Sequence, residues 1–184
     1  MAEKHGRLVR TAMIGSAHPI CLVAADADVP LRAVDPTRCI RTVASLDDVH
    51  GELKALAGSE WPGTRALDLI GHSTRDHHFL RIGTQAIDMT RPLIARLFET
   101  IRREELLQRL GVIAVRLLGC STALLPTGQR TVQRLARTLG VPVYGSRKPL
   151  LHSHYTADGF NPKFEHVLVE ASQLPNPPRR LSPS

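Results

Sequence analysis

A chain of 184 residues fits one domain and is too short for two full cores. Hydrophobic residues make up 42% and aromatics only 4%, so the core must be built mainly from Leu, Val, Ile and Ala. The net charge of +7 is spread over single arginines such as Arg7, Arg41, Arg65, Arg91, Arg116 and Arg134, with no interleaved aromatics. That is the pattern of a solvated surface, and no specific nucleic-acid partner is expected.

Three cysteines, Cys21, Cys39 and Cys120, are an odd number without paired spacing. They argue against a disulfide framework and for a reducing compartment. Arg10, His18 and Pro19 interrupt the mildly apolar stretch over 7–25, and no segment reaches the length of a membrane span. A cytoplasmic protein without a membrane partner is expected. Neither G-x-G-x-x-G nor a P-loop motif is present, and the turn at Ala25–Asp28 offers carboxylates instead of a phosphate cradle. No cofactor is expected.

The first seven residues read as a lead-in. Ile20–Ala25 is a short apolar, strand-like run. Ser45 followed by Asp48 is a capping pattern, and Leu46, Val49, Leu53 and Leu56 then fall on one helix face. Gly58 and Trp61-Pro62-Gly63 end that helix. Ala66–Ile70 predicts a strand that stops at Gly71, directly before His72 and Ser73. Leu80–Gly83 and Ala86–Asp88 read as a hairpin turning at Thr84 and Gln85.

Pro92 suits a helix first turn, with Leu93, Leu97 and Ile101 on the inward face and a break near Arg102–Glu105. Val112–Leu118 is apolar except for Arg116 and predicts a central strand ending at Gly119-Cys120. A helix over Thr127–Leu139 follows, with Val132, Leu135, Ala136 and Leu139 inward, and Gly140 and Pro142 stop it. Another strand begins at Pro142–Tyr144. Residues 175–184 carry four prolines and read as a flexible tail.

This alternation predicts an α/β fold: a mainly parallel central sheet flanked by helices on both faces. In such sheets ligands bind beyond the carboxyl ends of the strands, and His72 and Cys120 each stand just past such an end. A cysteine becomes a nucleophile when an imidazole takes its proton, so these two residues are the candidate catalytic pair.

Leu67-Asp68-Leu69-Ile70-Gly71-His72-Ser73 resembles the strand-plus-His-Gly motif of the caspase-like (clan CD) cysteine peptidases. Leu117-Leu118-Gly119-Cys120-Ser121-Thr122-Ala123 resembles that clan's strand-plus-nucleophile motif. The segment between is similar to bacterial caspase-like and CHAT-type domains, and the 48-residue interval from His72 to Cys120 agrees with caspase spacing. The resemblance is strongest over 45–148 within a single domain spanning 1–174.

It implies a caspase-like α/β/α sandwich and a cysteine endopeptidase acting on a protein or peptide substrate. Cys120 would attack the scissile carbonyl, His72 would protonate the leaving amine, and the backbone N–H groups of Cys120 and Ser73 would hold the oxyanion. The clan usually has glycine where Ser73 stands, and the caspase signature Q-A-C-[RQG]-G is absent. The resemblance also places Ser146, Arg147 and Lys148 in the loop that lines the substrate pocket, where basic residues would favour an acidic side chain. The plain alternative is that Arg147 and Lys148 are exposed loop charges.

Asp76 is a candidate orienter of His72, and Asp68 a second one. His77-His78 and the pair His152 and His154 lack a third metal ligand at a convincing spacing, so no metal is expected. Cys21 reads as core, and Cys39 has no assigned role. Two rival functions remain. One is a catalytically silent caspase-like binding or scaffold module. The other is a serine hydrolase with Ser73 as nucleophile, which would want a glycine where Arg75 stands.

Overall fold

The computed structural model describes residues 18–31 and 39–175, so the expected lead-in and the tail beyond Pro175 lie outside the described residues. In chain order the elements are β1 (Ile20–Ala24), β2 (Cys39–Val43), α1 (Leu46–Leu56), β3 (Arg65–Ile70), β4 (His72–Ser73), β5 (Leu80–Ile82) and β6 (Gln85–Ala86). There follow α2 (Pro92–Arg103), α3 (Leu106–Arg109), β7 (Val112–Leu118), α4 (Pro126–Leu139), β8 (Val143–Ser146), β9 (Tyr155–Thr156), β10 (Gly159–Phe160) and β11 (Leu168–Glu170).

Six strands form the central sheet in the order β11-β8-β7-β3-β1-β2, parallel throughout except for β11. The near-continuous apolar runs of β1, β3 and β7 give this away, because a strand covered on both faces needs apolar residues at successive positions. Leu22, Leu69 and Leu117 point to one face and Val23, Ile70 and Leu118 to the other, as period-2 geometry requires.

Among the described residues, α1, α2, α3 and α4 all bury their apolar stripes in the first of these two clusters. The second face is covered by the β9–β10 hairpin and a 3-10 segment, through Tyr155, Phe160, Phe164 and Val167. Among the described residues the α-helices thus cover one face, where helices on both faces were expected. The covering segment is short, rich in turn residues and without a helical stripe, so hairpin and 3-10 turns do the packing.

Ser45 caps α1 by accepting from Asp48 N–H at 3.1 Å, and Asp48 reaches back to Ala44 N–H at 2.9 Å. In α2 the buried residues are Ile94, Phe98 and Ile101, and Leu93 is 76% exposed, so the helix is rotated from the predicted face. Its break comes at Glu105, in the left-handed region with φ 54°. The edge strands β2 and β11 have no strong apolar alternation and were not legible in the sequence. Cys39 and Cys21 are both buried core residues.

Candidate active site

The site is set by register. β3 and β7 pair in parallel with Asp68 opposite Arg116 and Ile70 opposite Leu118. Both pairs are 48 residues apart, and so are His72 and Cys120. Successive rungs of the same face therefore read Asp68–Arg116, Ile70–Leu118 and, one step beyond the ladder, His72–Cys120. Both catalytic candidates line one small cavity of about 90 Å³ at the carboxyl edge of the sheet.

The glycine before each of them has a steric reason. A Cβ on Gly71 would collide with the Arg81 carbonyl of β5. One on Gly119 would lie 2.7 Å from Ser73 Oγ and 2.8 Å from Leu80 Cδ1. The β4–β5 hairpin thus presses directly onto both strand ends, and only glycine leaves room.

His72 is exposed, and its Nε2 lies 2.9 Å from the carbonyl oxygen of Asp26, in the loop after β1. A carbonyl can only accept, so Nε2 carries the hydrogen and Nδ1 of the neutral ring is left as the acceptor. The Asp26 carboxylate in turn binds Arg81 Nη2 at 2.7 Å, and Arg81 pairs with His72 across β4 and β5. Asp26 therefore takes the orienting place expected for Asp76. Asp76 sits in the exposed turn after Ser73, and Asp68 is committed elsewhere.

Cys120 is half-buried, with its thiol directed at the Leu150 carbonyl at 3.6 Å. The turn beneath it is held by side-chain bonds. Thr122 Oγ1 donates to Leu117 O at 3.1 Å and accepts from Ser146 N–H at 2.8 Å. Ser146 Oγ accepts from Thr122 N–H at 3.1 Å and donates to Gly119 O. Ser121, at φ 60°, donates its N–H to Lys148 O at 3.1 Å, which bends the chain away after the cysteine.

Ser146 is fully buried in this clamp and is no open pocket wall. Arg147 and Lys148 are exposed, and neither lines the cavity that holds His72 and Cys120. Lys148 edges a separate recess of about 430 Å³ with Pro149, Leu151, Phe164 and Val167. The predicted pocket trio is thus divided between a structural anchor and surface charges.

Ser73 is the other expected oxyanion residue. Thr74 N–H donates to Phe79 O at 2.8 Å, while Leu80 O accepts from Ile87 N–H on the far side of β5. Antiparallel bonding alternates, so Ser73 N–H turns away from β5. Its hydroxyl is buried against Gly119 without a hydrogen-bond partner.

One rung below the cavity floor, Arg116 grips Asp68 with two bonds of 2.6 and 2.7 Å. Its other amino group lies 3.7 Å from Glu165, and the guanidinium stacks 5.6 Å from the Phe160 ring centre. Burial alone would pull the Arg116 pKa down, but the Asp68 charge and hydrogen bonds outweigh it and hold the guanidinium firmly protonated. Burial, with the Asp68 charge, pushes the Tyr155 phenol well above its usual range, so it stays a neutral donor to Leu118 O at 3.4 Å.

The roles of Asp26, Leu150 and Tyr155 were not foreseen from the sequence. Asp26 and Leu150 act through backbone carbonyls, which no side-chain pattern reveals. Among the described residues no three His, Cys, Asp or Glu side chains converge as metal ligands, and no helix is long and apolar enough to cross a membrane. No protein-family model matches the chain, and no curated protein matches it either.

Proposed function

We propose that this protein is a cysteine endopeptidase of the caspase-like type, with His72 and Cys120 as its catalytic dyad. The observation that carries this reading is the 48-residue register that β3 and β7 keep from Ala66–Ala114 to Ile70–Leu118, beyond which His72 and Cys120 line one cavity at the carboxyl edge of the sheet. The Asp26 carbonyl adds to it, because it fixes the tautomer a general base needs.

In this reading the Cys120 S–H proton passes to His72 Nδ1 as sulfur bonds to the scissile carbonyl carbon. The resulting oxyanion is met by Ser73 N–H and Cys120 N–H. Collapse expels the amine, which takes the proton from the imidazolium. Water then attacks the thioester with His72 as base, releasing the carboxylic acid and restoring the thiol. The helices of one face and the hairpin cover of the other stand in for the two outer layers of a caspase-like sandwich.

A catalytically silent module of the same fold is the second reading, favoured by one observation: the Ser73 side chain is wedged against Gly119, beside the nucleophile. A serine hydrolase is disfavoured, since Ser73 Oγ is buried and has no base beside it. Iodoacetamide labelling at neutral pH, followed by intact mass, tests the dyad. Fast labelling of Cys120 that slows in His72→Ala, with cleavage of a denatured protein lost in Cys120→Ala, supports the peptidase. A Cys120 that reacts no faster than a free thiol in an unfolded peptide leaves the silent module.

A further inference from the structure

The cavity at the dyad has walls of its own. Ile70 and Leu118 form its floor, and Val29, Leu150, Leu151 and Tyr155 close its sides. Tyr155 spends its hydroxyl on Leu118 O, so the aromatic face is what it offers. Apart from the dyad and the Tyr155 phenol, the ionisable lining residues are Asp28 and His152, both exposed and therefore at the rim.

The charges nearest the floor are not available. Asp68 and Arg116 lie one rung deeper, behind Ile70 and Leu118, and neutralise each other through two hydrogen bonds. Arg147 and Lys148, the basic residues of the neighbouring loop, face solvent outside the cavity. A carboxylate placed on this floor would lose its water and meet neither the Arg116 guanidinium nor the charges of Arg147 and Lys148. An apolar side chain loses nothing there.

Size narrows the choice further. A volume of about 90 Å³ is that of roughly three waters, at about 30 Å³ each. This exceeds an alanine methyl and admits a leucine or methionine side chain.

Resting on the peptidase reading above, we infer that this cavity is the pocket for the substrate residue on the acyl side of the cleaved bond. The endopeptidase it serves cleaves after a medium-sized apolar residue, not after an acidic one. Leu150 is a specificity-determining residue in this arrangement, since its side chain packs on the apolar cluster forming the wall while its carbonyl meets the Cys120 thiol.

The test is a panel of peptide acyloxymethyl ketones identical except for the residue next to the reactive group: Ala, Leu, Met, Phe, Asp or Arg. Labelling of Cys120 is followed by intact mass, with iodoacetamide as a control for thiol reactivity. Leu and Met probes are expected to react at least about tenfold faster than Ala, by the discrimination a methylene or two gives in an apolar pocket, and faster still than Asp. Leu150→Ala, which keeps the backbone carbonyl, is expected to move the optimum from Leu toward Phe.

An Asp or Arg probe reacting fastest overturns the apolar assignment while leaving the dyad intact. Uniform rates across the panel overturn it as well, since no pocket is then being filled. Failure of every probe, with iodoacetamide labelling no faster than in His72→Ala, overturns the peptidase reading and this inference together. Should Leu150→Ala fail to fold, the wild-type panel still decides.

Discussion

Asp26 holds His72 and Arg81 at once: its carbonyl oxygen lies 2.9 Å from His72 Nε2, and its carboxylate 2.7 Å from Arg81 Nη2. The imidazole is thus oriented by the backbone of a loop from a strand that contributes no reactive side chain. The ion pair that steadies this loop is partly exposed, with side-chain exposures of 35% and 42%.

Arg81→Met therefore separates positioning from stability. Losing an exposed pair changes the unfolding free energy by less than about 1 kcal/mol. A loosened Asp26 loop lets the His72 ring drift, and a displacement on the order of 1 Å costs up to about 10²-fold in rate. Arg81 Nη1 also donates to Gly83 O at 2.8 Å, so urea denaturation and Cys120 alkylation rates, measured together, are expected to show a small fall in midpoint and a larger slowing of alkylation.

The three cysteines divide by burial. Cys21 and Cys39 are buried, and burial raises both thiol pKa values, so neither forms thiolate at neutral pH. Native protein is expected to take up a single equivalent of iodoacetamide, at Cys120, and denatured protein three. Peptide mapping after each treatment checks this. Rapid native labelling of Cys21 would show that the second face of the sheet opens in solution.

Ser146 makes its hydroxyl bonds entirely within the turn around Cys120. Ser146→Ala leaves Thr122 N–H and Gly119 O without these partners in a buried setting, at a cost of about 1–3 kcal/mol. Thermal denaturation is expected to show the loss. Ser146→Thr, which keeps the hydroxyl, is a poor control, because the site is fully buried and an added methyl overpacks it. Arg147→Ala and Lys148→Ala serve better and are expected to change stability by less than about 0.5 kcal/mol.

The buried pair beneath the cavity gives an asymmetric prediction. Arg116→Met strands the Asp68 carboxylate in the core and is expected to cost about 3–5 kcal/mol. Adding Asp68→Leu removes the stranded charge and is expected to recover much of that loss. A double-mutant cycle in denaturant measures the coupling. If the double variant is no more stable than Arg116→Met alone, the pair's contribution lies in packing with Phe160 and not in charge.

Much of the frame was legible in the sequence because it is local. The apolar runs at Ile20–Ala25, Ala66–Ile70 and Val112–Leu118, the Ser45 cap and the Gly140 stop each report on a few neighbouring residues. The arrival of His72 and Cys120 at one edge of the sheet was readable too, because each directly follows a glycine at the end of an apolar strand run.

What the sequence could not carry depended on contacts between distant segments. The face that α2 buries, the edge strands β2 and β11, and the hairpin cover of the second face follow from which surfaces meet, and weak local patterns do not encode that. The same holds for Asp26 as orienter and Ser146 as clamp: every residue has a backbone carbonyl and many have hydroxyls, so only the folded chain says which are used. In one dimension the basic loop at Arg147 and Lys148 could be read as a pocket wall or as exposed charges. In the fold both side chains are exposed, and the cavity at Cys120 has an apolar floor instead, because the cover segment brings Leu150 and Tyr155 over Ile70 and Leu118.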